Sequence, residues 1–365
     1  MAVMEQSNDV GRSRDAGDRR HVARRVIALL AVASVIVGML SLSVGATGFS
    51  PGAALNALLA LGGDQTAAEA IRRDVIILDI RLPRTLLGFL VGGTLAVSGV
   101  ILQGLFRNPL ADPGLIGVSS GAGLAAVIVL IGVPIFAPGL GERFGAFFLP
   151  VAAFLGALVT TILLYRIATR AGRTSVATML LAGIAIAALA GALTGFLLFR
   201  SDDQQLRDLT FWSLGSLGGA TMSKVAIAAP FVAASLAAIP YLADRLDALL
   251  LGEAEAGHLG VEVQIVKRVA ILVVALGVGA AVAAAGPIGF IGIVVPHLLR
   301  LAIGPRHRSL MIASALLGGI LLIAADMASR VVVAPAELPI GIITALIGAP
   351  FFLWLLLRRR SLLDL

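Results

Sequence analysis

The chain of 365 residues has no cysteine, which excludes disulfides, thiolate metal sites and a thiol nucleophile. It is also poor in charge. Only 13% of its residues are Asp, Glu, Lys or Arg, against roughly 25% in a soluble domain. Aromatics make up 5%. There are two lysines, Lys224 and Lys267, preceded by Ser223 and Val266, so no phosphate loop ending in Gly-Lys-Ser/Thr exists. Any ATP hydrolysis belongs to another chain. The long apolar runs are almost free of Asp, Glu and His, the groups with which ion-coupled transporters carry protons or cations. No catalytic cluster at bilayer depth, haem-ligating pair or metal-binding constellation is visible, so the expectation is a non-enzymatic chain with no cofactor of its own. What is abundant is apolar: 59% hydrophobic residues and 42 glycines, with a mean hydropathy of +1.01. Such a chain cannot cover its folded surface with polar groups, so lipid is its solvent. Small residues suit close packing of membrane helices. The net charge of +7 does not point to nucleic acid, because the basic residues are scattered between apolar runs.

A bilayer core needs about 20 apolar residues per helix. Uncharged windows near that length fall at Val26–Gly45, Leu86–Phe106, Leu115–Val133, Phe144–Tyr165, Val176–Phe199, Val225–Tyr241, Val269–Leu299, Ser309–Ala325 and Pro339–Leu357. The Val269–Leu299 stretch is too long for one helix and contains Gly286-Pro287, a turn signal, so it divides there. The expected fold is all-α: a polytopic membrane protein with ten transmembrane helices. A polar tail, 1–25, precedes a single membrane domain, 26–365. The first apolar run is expected to be a retained helix rather than a cleaved signal, because no small-residue cleavage pattern follows it. With the N-terminus in the cytoplasm, cytoplasmic segments hold 19 of the 28 Lys and Arg residues, as the positive-inside rule prefers. Both termini are then cytoplasmic. His297 is read as a helix-end residue bonded to backbone, and His21, His258 and His307 as solvated cytoplasmic residues. Gly-xxx-Gly spacings at Gly88/Gly92, Gly117/Gly121 and Gly191/Gly195 are read as packing within the subunit.

Five segments are unusual for a generic membrane bundle. Arg81-Leu-Pro-Arg-Thr85 opens the second helix, with Pro83 suited to its first turn. Asn108-Pro-Leu-Ala-Asp-Pro-Gly-Leu-Ile-Gly117 leads into Ser119-Ser-Gly-Ala-Gly123. Leu251-Gly-Glu-Ala-Glu-Ala-Gly-His-Leu-Gly260 is a short polar connection. Gly286-Pro-Ile-Gly-Phe-Ile-Gly292 runs into Val295-Pro-His297, and Glu337-Leu-Pro-Ile-Gly341 opens the last helix. Together, and in this order, they resemble the permease family of vitamin B12, haem and iron-siderophore importers, the type II ABC importers. The resemblance spans about Val26 to Arg360.

That resemblance implies an inverted internal repeat and a homodimer with the translocation path on its axis. It also implies two copies of a cytoplasmic ABC ATPase, which bind ATP and Mg, and a soluble substrate-binding protein on the outer face. The setting is the bacterial inner membrane. Arg81, Arg84 and Arg330 match positions that dock carboxylates of the binding protein, for which exposed guanidinium forks are suited; simple interfacial snorkelling is the alternative. Charge reversal at Arg81 plus Arg84 is then expected to weaken transport without lowering expression. The connection at about 244–264 matches the coupling segment that seats on the ATPase, with Gly252, Glu253, Glu255, Ala256, Leu259 and Gly260 as contacts. Asn108 and the stretch Thr174, Ser175, Val176 match gate elements, although Asn108 could equally be a turn residue before Pro109. Within the family, Ser201–Gly215 and Glu255–Val261 look most like haem permeases, with ferric siderophore or cobalamin as alternative cargo. Arg207 could pair with a haem propionate in the path, or with Asp203 or Asp208 in its own subunit. An ion-coupled secondary transporter is the remaining alternative.

Overall fold

The computed structural model describes residues 10–45, 50–59, 67–114, 117–137, 139–145, 148–170, 173–334 and 336–359. The fold is helical, as expected. The described residues form α1 (Val10–Ser43), α2 (Ile71–Leu105), α3 (Val118–Phe136), α4 (Phe148–Ala168) and α5 (Val176–Phe199). They continue with α6 (Asp203–Ser213), α7 (Met222–Ala237), α8 (Ile239–Leu249) and α9 (Glu253–His258). The last four are α10 (Val263–Ala285), α11 (Ile291–Ile303), α12 (His307–Val331) and α13 (Ile340–Arg359). Between α4 and α5, Thr169–Arg170 and Arg173–Thr174 pair as a two-residue antiparallel ladder.

Seven helices are long and apolar enough to cross a membrane. The α7–α8 pair, bent by 45°, makes an eighth, and the shorter α11 and α13 occupy the places of the other two expected spans. The bend is where Pro240 enters the first turn of α8. Proline has no N–H and its ring clashes with the carbonyl four residues back, so the helix cannot run straight through. The division at Gly286-Pro287 is also found: α10 ends at Ala285 with Gly286 at φ +71°, and α11 starts at Ile291 after Phe290 at φ +69°. Phe290 tolerates this left-handed conformation, unusual for a bulky residue, where its ring lies over Gly348, a position at which any Cβ would strike it.

Burial ranks the helices. The most apolar windows of α2 and α10 are 83% and 72% buried, whereas those of α1 and α5 are 17% and 22% buried. So α2 and α10 form the centre, and α1 and α5 face outward. Glycine permits the central packing. A Cβ at Gly92 would fall on the backbone of Gly318 in α12, and one at Gly121 on Gly156 and Thr160 in α4. Gly88/Gly92 and Gly117/Gly121 therefore pack within the subunit. Gly191/Gly195 do not: a Cβ at either meets nothing within 4 Å, and Gly191 borders an open cavity of the subunit.

Two further expectations are corrected. His307 is not solvated; it is 1% exposed, and its Nδ1 lies 2.6 Å from the Asp247 carboxylate. His297 lies midway along α11, buried, edge-to-face with Phe351 at 6.0 Å between ring centres.

Candidate functional site

The expected site residues gather at two ends of the bundle, with a cavity between them. At one end, α1 finishes with carbonyls that its own helix cannot satisfy. Two arginines from other helices satisfy them. Arg81 donates to the carbonyls of Leu42 (2.7 Å) and Ser43 (2.9 Å). Arg330 donates to those of Ser41 (3.1 Å) and Val44 (3.2 Å), and to the Ser41 hydroxyl (2.8 Å). Behind them lies Asp326, 1% exposed. It accepts from Arg84 Nε at 2.7 Å and pairs with Arg330 at 2.6 Å. Arg84 also forks onto the half-exposed Glu337 at 2.9–3.0 Å. The motif arginines thus converge, but not as free surface cations. All three are buried, because helix-end carbonyls and Asp326 take their donors. Reversing Arg81 and Arg84 is therefore expected to lower expression as well as transport, because a carboxylate at 84 would face Asp326. Among the cations expected on this side of the membrane, Arg72, Arg143, Arg200, Arg207 and Lys224 are exposed.

Asp326 itself was not read from the sequence. The apolar window stopped one residue short of it, although Asp326 and Arg330 stand at i and i+4, a spacing that suits an ion pair on one helix face. Held between two guanidiniums, this carboxylate ties α12 to the start of the apolar part of α2.

At the opposite end, α9 projects between α8 and α10. Gly252, at φ +133°, makes the turn into it, and the Glu255 carboxylate folds over that glycine. Ala256 is buried beneath the helix. Leu251 (66% exposed) and Leu259 (64%) present apolar side chains beside exposed Glu255 and His258. Of the expected contacts, Glu255, Leu259 and Gly260 are exposed and Gly252 and Ala256 are structural. Glu253 is turned inward: its carboxylate lies 2.7 Å from the ammonium of Lys267, which is 1% exposed and sits 5.6 Å over the Tyr165 ring. This pair fastens the start of α9 to α10. Lys267→Met is expected to leave the bundle folded, since Glu253 retains access to water, but to loosen α9. Limited proteolysis should then cut within 250–260 several-fold faster than in the parent chain, and an unchanged cleavage rate would count against the fastening.

The gate candidates form two caps. Asn108 Oδ1 accepts from Leu110 N at 3.0 Å, a turn closed around Pro109, directly after α2. Ser175 caps α5, its hydroxyl accepting from Thr178 N at 3.2 Å. The side chains of Thr174 and Val176 lie outside the described residues.

Between the ends is a cavity of about 470 Å³ bounded by α3, α5, α6 and the Pro287 loop. Its wall is small and mostly apolar, with Ser119, Ser120, Gly191 and Thr194 facing Trp212 and Pro287. Arg207 does not line it. It is exposed on α6, and no ion pair among the described residues includes it; the side chain of Asp208 is outside them.

A helical bundle with seven helices long and apolar enough to cross a membrane, a small-walled, mostly apolar cavity and an exposed short helix at one end has the architecture of a membrane transport subunit. The chain belongs to the FecCD transport family, whose match covers residues 32–358, and it is the permease of a type II ABC importer. It is 48% identical over 284 residues to the hemin transport system permease protein HmuU of Yersinia pestis, covering 78% of this chain and 84% of that one. It is 45% identical over 285 residues to the cobalamin import system permease protein BtuC of Halobacterium salinarum, covering 78% and 74%. A solved inward-facing metal-chelate type ABC transporter superposes with a TM-score of 0.76 at 30% identity, covering 92% of this chain and 99% of that one.

Proposed function

We propose that this permease carries haem from a soluble binding protein across the bacterial inner membrane, as one of two copies driven by two cytoplasmic ATPase subunits. The observation that carries this reading is α9. Apolar Leu251 and Leu259 stand exposed on a polar connection, fastened from behind by Glu253–Lys267. Such a knob fits a groove on a partner that supplies the missing ATP chemistry. The positive-inside bias assigns this end to the cytoplasm. The opposite end then receives the binding protein, with Arg81, Arg84 and Arg330 framing the rim and exposed Arg72 and Lys224 offering donors for its carboxylates. The open Gly191/Gly195 face of α5 leaves room for a second copy, with the small-walled cavity beside it as part of the path. Asn108 and residues 174–176 close the path toward the cytoplasm.

Haem is favoured by the haem-permease character of 201–215 and 255–261 and by exposed Arg207, whose guanidinium suits a propionate. Cobalamin is the second reading, supported by the 45% identity to a cobalamin permease. Proteoliposomes holding the full importer should accumulate haem in preference to cobalamin and a ferric siderophore. Arg207→Ala should lower haem uptake several-fold. Preferred uptake of another cargo would overturn haem, full uptake by the variant would remove Arg207, and uptake on an ion gradient without ATP would overturn the class of driving force.

A further inference from the structure

The inner rim of the bundle carries a second, unassigned cleft of about 1020 Å³ between the start of α1 and the α11–α12 connection. Arg19, Arg20 and Arg24 line it from α1, and Arg306 and Arg308 from the start of α12. Two carboxylates also face it, Asp244 and Asp247. Asp247 is already committed, accepting from the His307 backbone N–H at 3.0 Å and facing the His307 ring at 2.6 Å. A surplus of positive charge remains. Below the arginines the wall turns apolar, with Ile27, Ile303 and Ile312.

The depth of this cleft identifies its ligand. The apolar part of α1, Arg19–Ser43, is 25 residues long, about 37 Å of helix at 1.5 Å per residue. A hydrocarbon core is about 30 Å thick, so the turn bearing Arg19 to Arg24 lies in the headgroup layer. With only 17% of its window buried, α1 borders lipid along most of its length. An ion in water would be met by the arginines alone; a molecule with an anionic head and apolar chains would be met by both parts of the wall. We propose that this cleft binds the phosphate of an anionic membrane phospholipid, its acyl chains lying along Ile27, Ile303 and Ile312. Planar guanidiniums pair with phosphate oxygens through two parallel hydrogen bonds, and basic pockets between helices on the cytoplasmic side suit such headgroups.

The test uses the delipidated full-length chain, native mass spectrometry, and titration with phosphatidylglycerol, phosphatidylcholine and inorganic phosphate. The parent chain should bind phosphatidylglycerol at least tenfold tighter than phosphatidylcholine. The triple variant Arg19→Gln, Arg306→Gln, Arg308→Gln should lose that preference. An equal charge change elsewhere on the cytoplasmic side, Arg166→Gln, Arg170→Gln, Arg268→Gln, should retain it. All six residues are exposed, so both variants are expected to unfold at the parent temperature. Equal binding of the two lipids, or an unchanged preference in the first variant, would overturn the proposal. So would inorganic phosphate competing as well as the lipid, which would make this a free-anion site. Lost binding of the ATPase with lipid preference intact would assign the cleft to a protein instead.

Discussion

Asp326→Ala is expected to leave little folded permease in the membrane. The carboxylate is 1% exposed and serves two buried guanidiniums, Arg84 at 2.7 Å and Arg330 at 2.6 Å. Removing it leaves two cations facing each other in a medium that cannot solvate them, with only the half-exposed Glu337 in reach of Arg84. Breaking a buried pair in this way costs about 3–5 kcal/mol, a large part of a total stability of about 5–15 kcal/mol. The damage extends beyond the pair, because Arg330 also holds the last carbonyls of α1. Asp326→Asn keeps the shape and one oxygen acceptor and should fall between the parent and Asp326→Ala. Glu337→Gln, at the wet rim, should cost no more than about 1 kcal/mol. The readouts are the yield of monodisperse protein in detergent and the temperature of thermal unfolding. Parent-like yield and unfolding temperature for Asp326→Ala would show that the network does not frame the rim.

The same network explains where sequence reading of the fold stopped. Uncharged windows located the long apolar helices but missed the short polar ones, α6 and α9, and misplaced ends that carry charge. The window at Leu86 opened 15 residues after Ile71, where α2 begins, because Arg72, Arg73, Asp74, Asp79, Arg81 and Arg84 read as the outside. The window ending at Ala325 missed the last turns of α12 in the same way. Helix continues through Arg81 and Arg84 because groups outside α2 take up their donors, while Arg73 pairs with its neighbour Asp74 and Arg72 stays exposed. Arg84 and Asp326 are 242 residues apart and Arg84 and Glu337 are 253 apart, separations at which a local hydropathy pattern carries no pairing information.

The functional ends divide along similar lines. The exposed connection holding α9 was legible as a distinct polar segment, because Gly252, the acidic first turn and Gly260 set it apart from the apolar helices on either side. The inward turn of Glu253 was not, since it depends on Lys267 standing a turn inside α10. Likewise His307 looked solvated between Arg306 and Arg308. Its helix faces Asp247 of α8, 60 residues away, on one side. On the other it faces Gly104, where any Cβ would strike its ring. Glycine spacing was legible as close packing, but what lies opposite was not: Gly191/Gly195 have the same spacing as Gly88/Gly92 yet meet no atom within 4 Å, Gly191 bordering the cavity instead.

That difference gives the second large expected effect, at Gly99. Here α2 crosses the start of α11 with two glycines in contact, so that a Cβ at Gly99 would coincide with the backbone of Gly292. Backbone cannot rotate aside as a side chain can, and Gly292 is itself held by Gln103, whose Nε2 donates to its carbonyl at 3.0 Å. Even Gly99→Ala must separate the helices. Overpacking of this kind costs about 1–3 kcal/mol, and strain on the Gln103 bond adds about 1 kcal/mol. The unfolding temperature should drop by about 5 °C or more, and Gly99→Leu should yield almost no assembled protein. Gly191→Ala, with nothing within 4 Å inside the subunit, should leave the unfolding of the isolated chain unchanged. Equal shifts for Gly99→Ala and Gly191→Ala would overturn the packing assigned to both. A Gly191→Leu variant that folds normally yet fails to pair with a second copy would place a contact between copies at this position, whereas one that folds and pairs but transports poorly would show that the side chain fills the cavity that Gly191 lines.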